Sequence, residues 1–246
     1  MQAAVILPAA GLGTRMGRAA AEKTGTSRKQ FMLLEGSPIL VHTVRKFAAI
    51  DRVSEIVIAA RGEDMEWVAD MVAGQAPPGR VRVVEGGNSR QQSVANALAA
   101  LAPDTELVAV HDAVRPFIEI DTIHKVFDEA AATGAAIVAV PVVDTVKQVT
   151  QGTGHVKIRG TLQREKLVLA QTPQVFHYEL LRRAFAAAQR DGFTGTDESS
   201  LVERLDVEVS VVLGSDRNIK ITKPGDMDLA NLFLANRAAK TVPQES

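Results

Sequence analysis

The chain has 246 residues, 46% of them apolar, enough to fill the core of one large domain. Its 28 lysines and arginines against 29 aspartates and glutamates give a net charge of −1. That excludes the broad basic field of a nucleic-acid binder, so any phosphate-binding charge has to be local. With no cysteine, disulfides, thiolate metal sites and cysteine nucleophiles are excluded, and a cytoplasmic location is expected.

In chain order, Ala3–Pro8 is a continuous apolar run, the pattern of a strand covered on both faces. It is too short to span a bilayer and has no basic flank before it, so neither a membrane segment nor a signal peptide is expected. A stretch rich in glycine and basic residues follows, to about Gln30. Residues 39–50 read as an amphipathic helix, 55–60 as a buried strand and 64–72 as a helix, and Pro77-Pro78-Gly79 breaks the chain. Then come a strand over 80–84, a helix over 89–101, a strand over 107–110, a helix over 120–133 and a strand over 135–140. This alternation predicts right-handed βαβ units and an α/β fold on a mostly parallel, Rossmann-like sheet.

The rhythm breaks after Pro141. Residues 145–150 and 155–162 alternate around Gly152-Thr153-Gly154, a β-hairpin signature. Val146, Val149, Val156 and Ile158 cannot be covered by two strands alone, so the arm over 142–162 is expected to pack on a partner surface, a second copy of the chain. Helices over 178–190 and 197–204 and strands over 208–213 and 218–221 precede a last helix starting near Pro224, with Asp226 and Asp228 in its first turn. The expectation is one domain over residues 1–240, arm included, with a frayed tail over 241–246.

The segment Pro8-Ala9-Ala10-Gly11-Leu12-Gly13-Thr14-Arg15-Met16-Gly17 directly follows the first strand. Small residues let backbone N–H groups close on phosphate oxygens, and Arg15 adds fixed charge. The dinucleotide fingerprint fails because the third glycine, Gly17, falls one place late; the P-loop pattern fails because no Gly-Lys-Ser/Thr follows. Alone, the segment is compatible with a phosphate cradle or with a plain strand-to-helix turn; Arg15 and Lys29 favour the cradle. Asp112 falls at the carboxyl end of a predicted strand, where open α/β sheets bind ligands. A carboxylate there can hold Mg²⁺, and Pro116 and Asp121 separate it from the next helix, which disfavours an N-cap role. His111, between Val110 and Asp112, is expected to be a packed, hydrogen-bonded histidine.

Seven blocks occur in order: the glycine loop with Lys29-Gln30-Phe31; Gly86-Gly87 with Arg90 and Ser93-Val94; His111-Asp112-Ala113-Val114-Arg115-Pro116; Asp144-Thr145-Val146-Lys147; Gln171-Thr172-Pro173-Gln174; Thr196-Asp197-Glu198; and Asn218-Ile219-Lys220. Together they resemble the 2-C-methyl-D-erythritol 4-phosphate cytidylyltransferase family, a branch of the polyol-phosphate cytidylyltransferases, over about residues 3–235. The resemblance implies a nucleotidyltransferase that moves CMP from CTP to a polyol phosphate with Mg²⁺, as a homodimer with no nucleic-acid or membrane partner. It implies catalytic cations at Arg15, Lys29 and Lys220. It implies CTP contacts at Ala9, Ala10, Gly11, Gly13, Gly87, Ser93, Asp112 and Ala113, with Asp112 also the metal ligand. For the acceptor it implies Arg115, Thr145, Arg164, Thr196 and Lys220, with Arg164 reaching across the dimer. Read without the resemblance, Arg164 is a solvated arginine in a charge run, and Thr145 and Thr196 are helix or turn caps.

The chain departs from the family pattern in three places. The stretch from Arg18 to Arg28 is long and ends in arginine where proline is usual, which leaves Lys23 as an alternative to Lys29. Asn88 stands where an acidic residue is common, and Leu162-Gln163-Arg164 replaces Val-Asp-Arg. A ribitol 5-phosphate cytidylyltransferase and a non-catalytic nucleotide-binding regulator on the same fold stay open as alternatives.

Overall fold

The computed structural model describes residues 1–11, 28–150 and 156–241. Eleven strands occur: β1 (Ala3–Pro8), β2 (Leu33–Leu34), β3 (Ser37–Pro38), β4 (Val53–Ala60), β5 (Val81–Glu85), β6 (Leu107–Val110), β7 (Ala135–Pro141), β8 (Lys147–Val149), β9 (Ile158–Thr161), β10 (Val168–His177) and β11 (Ser210–Leu213) among the described residues. Seven of them form one sheet in the order β11-β7-β10-β6-β1-β4-β5. β1 runs parallel to β4 and β6, β4 to β5, and β7 to β11. β10 is antiparallel to both β6 and β7, so it is the reversed strand of an otherwise parallel sheet.

Helices cover both faces. Ala3, Val5 and Leu7 point to one side, against α1 (Ile39–Ala48), α2 (Met65–Val72) and α4 (Ile120–Thr133). Ala4 and Ile6 point to the other, against α3 (Arg90–Ala99), α5 (Tyr178–Arg190) and α6 (Glu198–Glu203). A strand with helices on each side has no polar face to keep, which is why β1 is apolar throughout. A smaller cluster seats α7 (Pro224–Thr241) through Ala230 and Phe233, the latter edge-on to Phe117 at 5.5 Å. Among the described residues no helix is long and apolar enough to cross a membrane.

The expected α/β architecture is present, and β1, β6, α4 and α5 have the expected bounds. The expected strand over 218–221 is absent. Two backbone bonds, from Ile221 N to Val114 O and from Asn218 N to Ser215 O, both at 3.0 Å, hold this segment, and Lys220 reaches Asp112 instead of taking a ladder position. β10 was not legible because Gln171, Thr172, Pro173 and Gln174 interrupt its apolar run; the ladder with β7 shifts register between Ala170 and Gln174. The β2–β3 hairpin was also not anticipated; its turn is closed by Glu35 and Gly36 at positive φ.

The arm exists as the antiparallel pair β8–β9, shorter than expected, and the Gly152-Thr153-Gly154 turn lies outside the described residues. Of the four side chains expected to need a cover, Val149, Val156 and Ile158 are 46, 65 and 66% exposed within this chain, whereas Val146 is half-buried; Val143, just before the strand pair, is 75% exposed.

Phe47 in α1 is fully buried and meets the ring of His111 edge-on at 4.8 Å, so it supports the floor beneath the end of β6. Phe47→Ala should destabilise the protein by about 3–5 kcal/mol, read from urea unfolding. A loss below about 1 kcal/mol would mean that the surroundings collapse to fill the space.

Candidate active site

β1 lies between β4 and β6, and the chain leaves it outward through β4 and β5 before returning to β6 on the other side. The loops after β1 and β6 therefore diverge at a topological switch point. A cleft of about 770 Å³ opens there. Its walls come from the carboxyl ends of parallel strands: Ala9, Ala10 and Gly11 after β1, Arg61 after β4, Gly86 and Gly87 after β5, and Asp112 and Ala113 after β6.

The walls are fixed by backbone hydrogen bonds. Ala9 N donates to Ala59 O at 2.8 Å and Gly86 N to Ala60 O at 2.6 Å. A Cβ on Gly86 would sit 2.7 Å from Ala10 Cβ, so only glycine lets the two loops abut. Gln30, buried beside Lys29, donates its side-chain amide to Ala9 O at 2.6 Å and Gly11 O at 3.0 Å. This ties the 3-10 turn Lys29–Phe31 to the loop after β1 and sets Lys29 on the cleft wall.

Asp112 is the electrostatic centre. Its carboxylate meets three cations: Lys220 Nζ at 2.9 Å and Arg115 Nε at 3.2 Å on Oδ2, and Arg90 Nε at 3.3 Å on Oδ1. Burial pushes its pKa up, but Lys220, Arg90 and Arg115 outweigh burial and hold the carboxyl well below the usual carboxylate range. Arg90 is also gripped by Glu198 at 2.7 and 2.9 Å, a two-point contact. Burial pushes the Glu198 carboxyl up, and Arg90 opposes it. Three cations thus face two carboxylates, leaving one local positive charge on a chain whose net charge is −1.

His111 is fully buried and bonded at both ring nitrogens. Nε2 lies 3.0 Å from Arg115 O, a pure acceptor, so this nitrogen carries the proton. Nδ1 then accepts from the Thr172 hydroxyl at 3.1 Å, and that hydroxyl oxygen accepts from Asp112 N at 3.0 Å. Burial lowers the imidazole pKa to about 4, so His111 stays neutral and packs as expected.

The structure brings most of the expected residues together. Ala9, Ala10, Gly11, Lys29, Gly87, Ser93, Asp112, Ala113 and Lys220 line the cleft. Arg115 sits behind Asp112 and donates to Asn218 O at 2.7 Å. Ser93 differs from expectation in chemistry: its hydroxyl donates to Ser89 O at 2.8 Å and accepts from Gly87 N at 3.0 Å, so it can offer a ligand only a lone pair. Arg164 is held by Val143 O at 2.6 Å, and neither it nor the exposed Thr145 and Thr196 lines this chain's cleft. Thr196 does not cap the next helix; Asp197 does, accepting from Ser200 N at 3.1 Å. Gly13, Arg15 and Lys23 lie outside the described residues. Sequence reasoning gave no role to Arg90, Glu198 or Gln30, although each stood inside a recognised block.

A mixed sheet of this order, with a cationic cleft at the switch point, is an α/β fold with a site suited to phosphate groups. Residues 3–236 match the family model of 2-C-methyl-D-erythritol 4-phosphate cytidylyltransferase, and the chain belongs to that family. It is 74% identical to the enzyme of that name from Solibacter usitatus, over 98% of this chain and 99% of the relative. It is 52% identical to the one from Acidobacterium capsulatum, over 98% of this chain and 100% of the relative. Among solved structures, 4-diphosphocytidyl-2C-methyl-D-erythritol synthase from Anaerococcus prevotii aligns with a TM-score of 0.80 at 29% identity, covering 95% of this chain and 98% of that one. The Thermus thermophilus cytidylyltransferase aligns at 0.72 and 32% identity, covering 96% and 100%.

The depressed pKa of His111 has a consequence for stability. Between the ordinary pKa of 6.5 and about 4, the unfolded chain binds a proton there that the folded chain does not. Stability is therefore full above 6.5 and falls as pH drops through this window, by about 1.4 kcal/mol per pH unit from this group. Asp112 acts in the same sense only below the ordinary carboxylate pKa of 3.8. Urea unfolding of metal-free protein across pH 6.5 to about 4 should show the slope, and His111→Gln should lose one proton's share of it. An equal slope in the variant would assign the proton elsewhere.

Proposed function

We propose that this chain transfers CMP from CTP to 2-C-methyl-D-erythritol 4-phosphate and releases pyrophosphate, a step of isoprenoid precursor synthesis by the non-mevalonate route, in the cytoplasm. The observation that carries this reading is the convergence of Lys29, Asp112 and Lys220 on one cleft at the switch point.

The chemistry needs positioning and cations. The attacking group is a phosphate monoester with a second pKa of about 6, so its oxygen is already ionised at neutral pH. That oxygen forms a bond to the α-phosphorus of CTP as the bond from α-phosphorus to the bridging oxygen breaks, and pyrophosphate leaves with that electron pair. No proton has to be removed. Lys29 and Arg15 stabilise the charge on the α-phosphate, and Lys220, steadied by Asp112, meets the acceptor, while Arg115, set behind Asp112 and outside the cleft lining, acts through that carboxylate. Ala9, Ala10, Gly11, Gly13, Gly87 and Ala113 enclose the nucleoside with backbone groups. Ser93, whose hydroxyl bonds Ser89 O and Gly87 N, stands beside them on the cleft wall.

The magnesium reading rests on a single carboxylate, since among the described residues no group of three or more His, Asp or Glu side chains could hold a metal ion. A carboxylate accepts in about four directions. Arg90, Arg115 and Lys220 take three of those on Asp112, and Mg²⁺ is commonly held by one or two carboxylates with waters and phosphates completing its shell. Asp112 would hold the ion, which when bound supplies charge neutralisation at the phosphate oxygens.

The same reading makes residues 1–240 one domain whose arm, 142–162, pairs with a second copy in a closed two-fold dimer. The exposed Val143, Val149, Val156 and Ile158 support this, since an uncovered hairpin is marginal in water. Arg164, outside its own chain's cleft, then grips the acceptor phosphate in the partner's site, alongside Thr145 and Thr196.

Pyrophosphate release, assayed for CTP, UTP and ATP against 2-C-methyl-D-erythritol 4-phosphate and ribitol 5-phosphate, tests the reaction. Turnover should require CTP and the methylerythritol substrate; turnover with ribitol 5-phosphate alone would overturn the acceptor assignment. Subunit mixing tests the shared site. Lys29→Ala and Arg164→Ala proteins should each be about a hundredfold slower, and subunit exchange should restore part of the activity, because one site per mixed dimer carries neither change. Confirmed exchange without recovery, or an active monomer by light scattering, would sink the shared site.

A further inference from the structure

Glu198 is the first residue of α6 and is 1% exposed. An acid at that position ordinarily serves the helix N-terminus. Here that duty is already met. Asp197 Oδ1 accepts from Ser200 N at 3.1 Å, and Gln174 Oε1 accepts from Glu198 N at 3.1 Å and Ser199 N at 3.0 Å. The Glu198 carboxylate turns away from those donors and takes both terminal nitrogens of Arg90. Arg90 lines the cleft, whereas Glu198 is not among the lining residues.

We propose that Glu198 is a positioning residue for the transfer reaction: by gripping both Nη atoms of Arg90 it holds the guanidinium where Nε alone touches Asp112, on Oδ1, and so leaves Oδ2 to Lys220 and Arg115. A guanidinium offers its best contact to a carboxylate through two parallel N–H groups. Released from Glu198, Arg90 has Asp112 as its nearest carboxylate and takes both oxygens. It then competes with Lys220 for Oδ2. The local charge rises from three cations against two carboxylates to three against one, and Lys220 is driven off its anchor. The proposal rests on the reaction proposed above for its kinetic test alone.

Glu198→Gln keeps the shape and removes the charge. In wild type and variant, the acetylation rate of the Lys220 amine by acetic anhydride is followed by peptide mass spectrometry. It should rise severalfold in the variant, whatever the enzyme turns over. In the kinetic test, kcat for pyrophosphate release should fall roughly 10- to 100-fold with little change in the KM for CTP. Arg90→Gln/Glu198→Gln should be no slower than Arg90→Gln alone, because Glu198 acts only through Arg90. Should the glutamine variant fail to fold by circular dichroism, Glu198→Asp takes its place: it keeps the charge but is too short to hold both Nη atoms, so Lys220 labelling should rise and kcat fall in the same direction but by less. A folded variant with unchanged Lys220 labelling, or losses that multiply in the double variant, overturns the proposal. Absent turnover in the wild type overturns the proposed reaction instead and leaves the labelling result to decide this one.

Discussion

A buried carboxylate at the end of β6 is the constraint around which this molecule is arranged. Asp112 is 6% exposed, and an isolated ionised carboxylate in such a place would cost several kcal/mol. It stays charged because cations arrive from separate parts of the chain: Arg90 from the start of α3, Arg115 from the turn beyond β6, and Lys220 from the segment before α7. The two arginines are themselves seated by something else. Arg90 depends on Glu198, and Arg115 on the carbonyl of Asn218. The floor of the cleft is therefore a chain of mutual dependence in which no charge is stable alone.

That arrangement lets a nearly neutral protein bind polyanions. The overall charge of −1 offers no long-range attraction, and the cations that can meet phosphate, Lys29, Arg90 and Lys220, are gathered on the cleft wall. Confinement suits a reaction whose reactants and products are all phosphates.

β10 is the internal brace. It carries buried Gln171, Thr172 and Gln174 in the middle of a sheet, and each is satisfied. Gln171 donates to Ser215 O at 3.1 Å and accepts from Asn218 Nδ2 at 2.9 Å. Thr172 links His111 to the Asp112 backbone, and Gln174 holds the N-terminus of α6. These side chains join the sheet to the segments that deliver Lys220 and Glu198. This buried network fixes one arrangement of the sheet and its loops, with one acceptor in it, Asn218 Oδ1, left without a partner.

The sequence by itself determined the elements whose signal is local. The unbroken apolar run of β1, the periodicity of α4 and α5, and the glycines after β1 and β5 follow from side-chain size and burial on two faces. Lys29, Asp112 and Lys220 were legible as candidates because they stood in recognisable blocks, and the structure brings all three to one cleft. What the tertiary structure decided was pairing across distance. That the 218–221 segment is no strand, that β10 runs backwards through the sheet, and that the Ser93 proton is spent on Ser89 O depend on neighbours brought by the fold, with no periodic mark in the chain. The bond between Arg90 and Glu198 spans 108 positions, and neither residue's own surroundings in sequence announce it. Local patterns record which face is buried; only folding records which charge meets which.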